Sequence, residues 1–210
     1  MSKRPDGEGK TLLINAALGL FATEGVDAVS IRAVNRAAGL GPASVHYHFS
    51  TKNALIDEVL HLYGDEVVAS ILKRSNELNA ATDRPDPEQL IRVIVNAYLE
   101  LLDTRGRDGA NWIRLVNQYL SSDVDRVTNE TAELAIAESV QHAYPTVPTA
   151  DIQRALTLSI GVFVRELANL TEDLLSTDPS CREQAAAHLE FLVHFLAGGI
   201  SASLGAANNA

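Results

Sequence analysis

The chain reads as an all-α protein, and three observations predict it. No strand-like alternation of apolar and polar residues persists anywhere, whereas apolar residues recur at helical spacing along most of the length. Pro42, Pro87, Pro148 and Pro179 stand where a helix can begin, and none interrupts a long periodic run. Two very short helical stretches lie close together between Ser30 and Lys52, SIRAVNRAAGLGPASVHYHFSTK, on either side of a glycine-bearing turn.

The first helix is predicted from about Lys10 to Thr23, where Leu13, Ala16, Ala17, Leu20 and Phe21 form one apolar stripe and Gly25 follows to end it. Ser30 can cap a second helix over Ile31 to Ala38, with Ile31, Val34 and Ala38 inward. Gly39 supplies the turn, and Pro42 opens a third helix that ends near His48. Ser50 is placed to cap a long fourth helix from Thr51 to Glu77, with Leu55, Val59, Leu62 and Val67 inward. Asp86-Pro87-Glu88 pairs a cap with a first-turn proline and starts a helix to about Leu102. Further helices are expected near Gly109–Leu120, Val124–Tyr144, Thr149–Leu175 and Pro179–Ser201.

The last two helices look apolar over more than one face. One apolar face packs on its own domain; a second needs another partner. That predicts a homodimer built on Leu156, Ile160 and Phe163 of one helix and Leu189, Leu192, Val193 and Leu196 of the other.

Paired helices as short as those in Ser30–Lys52 suit a DNA major groove, where one helix braces another that offers its N-terminal side chains to base edges. The net charge of −10 argues the other way at first. It is unevenly spread: residues 1–55 hold six basic and four acidic residues, and residues 56–210 hold eleven and twenty-three. A weakly basic head on an acidic body suits a head that meets phosphates.

Residues 10–60 resemble the DNA-binding domain of the TetR family of bacterial transcriptional regulators. The match rests on Ala16-Ala17, Leu20-Phe21, Glu24-Gly25, Ser30, Ala37-Ala38-Gly39, Ser44-Val45, His46-Tyr47-His48-Phe49 and Lys52. It implies an N-terminal three-helix DNA-binding domain with a helix-turn-helix, followed by a larger C-terminal helical domain that binds a small ligand and dimerises. The division is set at residues 1–55, with 1–9 as a flexible arm holding Lys3 and Arg4 beside Lys10, and 56–210. Two positions depart from the commonest pattern: Asn35 stands where the family usually has alanine, and His46 where it usually has tyrosine.

In this reading the third helix enters the major groove. Small residues at its N-terminal end, Gly41, Pro42, Ala43 and Ser44, let the backbone approach the duplex. Ala43 can meet a thymine methyl and Ser44 can donate to a base or phosphate, though the same residues also suit a tight turn. Tyr47 and His48 are similar to family positions that reach the DNA backbone, and His46 is assigned beside them. Lys52 is similar to a position where the family contacts phosphate. Arg32 and Arg36 share an exposed face of the second helix and either flank the backbone or are simply solvated.

A ligand pocket between helices needs apolar walls and a few polar groups. Tyr98, Trp112, Gln118, Tyr119, His142, Phe163 and Glu166 are the candidates, each of which taken singly reads more readily as ordinary core or surface. The predicted function is a homodimeric transcriptional regulator, a repressor, that binds a double-stranded palindromic operator and is released by an unknown small-molecule effector. An activator, and an all-helical enzyme or small-molecule carrier with a vestigial DNA-binding motif, are the alternatives.

No cofactor, metal site or catalytic residue is predicted, since no Gly-rich phosphate loop, GxSxG or HExxH occurs. The single cysteine, Cys181, and the polar start MSKRPDGEGK predict a cytoplasmic protein. The apolar segment Leu189 to Ala207, interrupted by Glu190 and His194, is read as a buried or interface helix short of a membrane span.

Overall fold

The computed structural model describes residues 6–82, 84–120 and 130–207, which form nine α-helices. The first, α1, runs Asp6–Glu24, four residues earlier than its apolar stripe predicts. Its buried face is Leu13, Ile14, Ala17, Leu18 and Phe21, with Ala16 and Leu20 on a half-buried flank. Residues 6–9 are therefore helical, and the expected arm over residues 1–9 is corrected there. Lys10 is anchored, its ammonium 2.9 Å from the Glu58 carboxylate and 5.8 Å from the centre of the Phe49 ring. Lys3 and Arg4 lie outside the described residues.

Helix α2 is Ile31–Ala37, and the Ser30 hydroxyl accepts the Ala33 amide at 3.2 Å as expected. Gly39 turns the chain at φ +65°, left-handed backbone that costs glycine little. Helix α3 is Ser44–His48, two residues shorter at its start than Pro42 suggests. Helix α4, Lys52–Ala81, is capped by Thr51, not Ser50: the Thr51 hydroxyl accepts the Ala54 amide at 3.1 Å. It runs four residues beyond the predicted end.

Helix α5, Pro87–Arg105, opens on a full capping box in which Asp86 and Gln89 each satisfy the other's backbone amide at 2.9 Å. Helix α6, Arg107–Leu120, follows after a single residue. That junction is so close that a β-carbon at Gly109 would sit 2.9 Å from the Leu101 carbonyl oxygen. Helices α7, Glu130–Ala143, α8, Thr149–Leu174, and α9, Pro179–Ala207, complete the set. The predicted start of α7 at Val124 lies outside the described residues.

One continuous core runs from Leu13 in α1 to Leu204 in α9. Helix α1 packs on α4 and α6, α4 on α5 and α7, and α8 on α6 and α9, while α5 also meets α9. Helices α4 and α6 thus serve both ends of the molecule. Ion pairs stitch the outer seams: Arg92 of α5 reaches Glu190 of α9 at 2.7 Å, and Arg114 of α6 reaches Glu172 of α8 at 2.6 Å.

Two sequence expectations about α8 and α9 change. By length and composition Pro179–Gly205 is long and apolar enough to cross a bilayer, with mean hydropathy 1.3, contrary to the reading above. In the fold its inner side packs on α5 and α8. Second, Leu156, Phe163, Leu189, Leu192, Val193 and Leu196, expected at a dimer interface, are buried inside the protomer, and Ile160 is half-buried. The large apolar side chains that face out are Leu158 and Val162 on α8 and Phe191 and Phe195 on α9. Both helices are apolar on two faces as read, but periodicity alone assigned the faces the wrong way round.

Candidate nucleic-acid interface and regulatory cavity

A five-residue helix such as α3 cannot hold its own geometry, because one turn closes too few backbone hydrogen bonds to offset the ordering of the chain. Its N-cap residue, Ala43, has no side-chain oxygen with which to cap it. The missing acceptor comes from α2. Asn35 is only 2% exposed; its Oδ1 accepts the Val45 amide at 3.1 Å and its Nδ2 donates to the Pro42 carbonyl at 2.9 Å. Both functions of one buried amide are thereby used, and the turn is locked to α3 from behind. Val45 and Phe49 anchor the same unit in the core.

The braced tip presents Gly41, Pro42, Ala43 and His46 as exposed residues, with Tyr47 70% exposed and Ser44 half-buried. Arg32 is exposed on α2. Two other predicted contacts are placed differently. The His48 ring is half-buried and tucked against α1, its Nε2 3.0 Å from where a β-carbon of Gly9 would lie, so a side chain at that glycine would displace it. Lys52 turns back on its own domain: Nζ donates to the Val26 carbonyl at 2.6 Å and lies 6.0 Å from the centre of the Phe21 ring. It closes the loop after α1 onto α4.

The second site lies between α4, α5, α6, α7 and α8. A cavity of about 150 Å³ has walls that include Leu60, Val67 and Ile71 of α4, Ile94 of α5, and Val116 of α6. Tyr98 and Trp112, predicted for a pocket, both line it. The Trp112 indole N–H donates to the Leu60 carbonyl at 2.8 Å, which fixes the ring. Tyr98 packs edge-on against Phe163, and burial pushes its phenol up to about 12. It stays protonated at any ordinary pH.

The other predicted pocket residues fall elsewhere. Phe163 backs Tyr98 from the core without lining the cavity. His142 is exposed on α7, and Glu166 faces His188 at 3.6 Å. Tyr119 and Gln118 face the N-terminal helices, beside residues 24–28. The Gln118 amide donates to the Phe21 carbonyl at 3.1 Å, a bond from the body of the molecule to the end of α1. In their place the cavity takes Asp57, His61 and Asp65 from α4, Glu133 from α7 and Ile160 from α8. Polarity disguised all of these but Ile160, since a charged residue on a helix reads as solvated; Ile160 reads from the sequence as an interface residue. Among the described residues no group of acidic, histidine or cysteine side chains could hold a metal ion.

Comparison with known proteins agrees with this layout. Residues 13–59, which contain the braced helix pair, match the bacterial regulatory proteins of the tetR family. Residues 92–199 match the tetracyclin repressor-like C-terminal domain, and this second match alone spans just over half of the chain. The chain belongs to the TetR family. Over 78 residues this TetR-family regulator is 36% identical to the HTH-type transcriptional repressor KstR2 of Rhodococcus jostii (strain RHA1). That match covers 34% of the chain and 38% of the repressor, so it spans well under half of that relative's length.

The fold resembles that of a transcriptional regulator from Rhodococcus sp. Rha1, with a TM-score of 0.54 at 19% identity over 94% of this chain and 96% of that one. A bacterial regulatory protein in the tetR family from Rhodococcus RHA1 gives 0.51 at 20% identity over 93% and 98%. At such identities the likeness speaks for the fold alone. The protein is thus a transcriptional regulator with an N-terminal helix-turn-helix and a C-terminal helical domain.

Proposed function

We propose that this TetR-family regulator is a cytoplasmic, homodimeric repressor that binds a palindromic operator and is released by a small molecule. The reading divides the chain into a DNA-binding head, to about residue 55, and a regulatory body. The observation that carries it is the Asn35 brace. It holds a solvent-facing turn and helix at fixed geometry, which is what major-groove docking needs and what an internal packing element does not. Gly41, Pro42, Ala43 and Ser44 are assigned to close approach and base contact, and His46, Tyr47 and Arg32 to the backbone, while His48 packs against α1. Lys52 acts mainly through Val26, adding a phosphate contact only with its remaining donors.

Dimerisation is assigned to the outward faces of α8 and α9. Leu158 with Val162, and Phe191 with Phe195, are each spaced i, i+4, so each pair lies on one side of its helix. A two-fold axis through that patch buries it and sets the separation of two recognition helices. Phe191→Glu with Phe195→Glu should give monomers in sedimentation and abolish operator binding.

Ligand control follows from the position of α6, which carries Trp112 in the cavity and Gln118 against Phe21. A ligand that binds better to the arrangement with this bond broken releases DNA, and DNA weakens the ligand by the same factor. The test is a mobility shift on sites recovered by genomic selection. A complex that weakens with salt and carries a palindrome supports the reading; no recovered site sinks it, and the enzyme or carrier alternative then gains.

A further inference from the structure

We propose that the effector of this regulator is an amphiphilic cation: a protonated amine or quaternary ammonium carrying one compact aromatic or aliphatic body. This rests on the ligand-responsive reading above and names the chemistry that its cavity selects.

The body follows from size and walls. An apolar cavity of about 150 Å³ elsewhere admits a single benzene ring. Here Trp112 and Tyr98 supply aromatic surface and Ile71, Ile94 and Val116 aliphatic surface. The Trp112 N–H is already used by the Leu60 carbonyl, so the indole offers the ligand no donor. Aromatic rings also attract a cation that meets their faces.

The charge follows from the polar groups. Tyr98 lines the cavity and is 8% exposed, and no described residue makes a hydrogen bond to its hydroxyl. A hydroxyl on a largely buried ring that has no protein partner is open to a ligand's polar group. At the mouth His61 holds Nδ1 2.7 Å from the Asp57 carbonyl oxygen. A carbonyl only accepts, so Nδ1 is the donor there and Nε2 is left for another partner.

Three carboxylates, Asp57, Asp65 and Glu133, line the same cavity, and among the described residues no lysine or arginine does. Asp65 and Glu133 are exposed and form no ion pair with a described residue. Among the described residues an anionic ligand therefore meets like charge with no lysine or arginine beside it, while an ammonium group finds acceptors around the opening.

Trp112 is the only tryptophan in the chain, so its emission reports the cavity directly. The full-length protein is titrated with phenethylammonium, phenethyl alcohol and 3-phenylpropanoate, which share a body and differ in charge. The expected result is a saturable change with phenethylammonium, about tenfold tighter than with either of the others. Asp65→Asn with Glu133→Gln, both at exposed positions, should remove most of that preference while circular dichroism stays unchanged. Tyr98→Phe should weaken the cation a few-fold.

Three outcomes overturn the proposal: equal or tighter binding of 3-phenylpropanoate, a cation preference that survives the double substitution, or no response to any probe at millimolar concentration. Displacement of the selected operator by the same probes separates this proposal from the reading beneath it. Cation-selective binding that leaves the operator complex intact supports the ligand class and counts against ligand control. Release by 3-phenylpropanoate alone does the reverse.

Discussion

Asn35 and Tyr98 are both buried and both polar, yet they stand in opposite conditions. Every hydrogen-bonding function that the Asn35 amide aims at the turn is matched, at 2.9 and 3.1 Å. Tyr98 lines a cavity, and its hydroxyl has no hydrogen-bond partner among the described residues. A satisfied buried amide rigidifies its surroundings and specifies one geometry. A hydroxyl left without a protein partner beside empty volume can bond to whatever enters it. The difference separates a part held in one geometry from a part with room and an unused polar group.

The strongest way to break the comparison is Asn35→Ala. It leaves the buried Val45 amide without its acceptor and should cost about 1–3 kcal/mol in denaturant unfolding. Operator affinity should fall by more than the folding loss explains, because the tip of α3 is no longer fixed. Unchanged affinity in a mobility shift, with the protein still folded, would remove Asn35 from the interface.

Gln118→Ala sharpens the link between the two regions. Loss of one hydrogen bond to the Phe21 carbonyl should cost about 0.5–1.5 kcal/mol of stability. The more telling readout is the ratio of operator affinities with and without effector, which should shrink toward one. If that ratio holds, α6 transmits nothing through this bond.

Lys52→Met tests whether the lysine serves folding or phosphate. A full phosphate contact lowers the slope of log affinity against log salt by about 0.9 when it is lost. Since Nζ is held by Val26 and lies near Phe21, a smaller slope change is expected, together with a stability loss of about 1 kcal/mol. A slope change of a whole contact with no stability loss would restore the phosphate role.

The smallest effect concerns pH. Hydrogen bonding to Arg92 is the main cause that holds the Glu190 carboxyl below its ordinary value of 4.5. Its contribution is therefore present above about pH 4.5 and is lost as pH falls through the lower folded value. The pair is well exposed, so less than about 1 kcal/mol is at stake. Arg92→Met should flatten the acid side of the thermal-stability profile slightly; a steepening would contradict the pairing.

Much of the fold was legible because helix starts announce themselves locally. Ser30 and the Asp86-Pro87 pair both cap as read. Ser50 failed because Ser50 and Thr51 are adjacent and chemically alike, and only the backbone decides which hydroxyl lies within 3.1 Å of Ala54. The cavity was half legible. Trp112 and Tyr98 stood out as scarce aromatics, whereas His61 and Asp65 look like any solvated residues of a long helix until the fold sets them beside a cavity walled by α5 and α6. Gln118 was noticed as polar but not as a link, since its acceptor lies 97 positions away.

The sequence by itself determined the all-helical class, the order of the helices and the helix-turn-helix, because periodicity, caps and turn glycines act over a few residues. Only the tertiary structure decided which face of α8 and α9 points outward, that Asn35 caps a helix other than its own, and that Lys52 turns inward. Those depend on contacts between residues far apart in the chain, where a helix with two apolar faces, or a polar side chain with two available partners, is settled by what the fold brings against it.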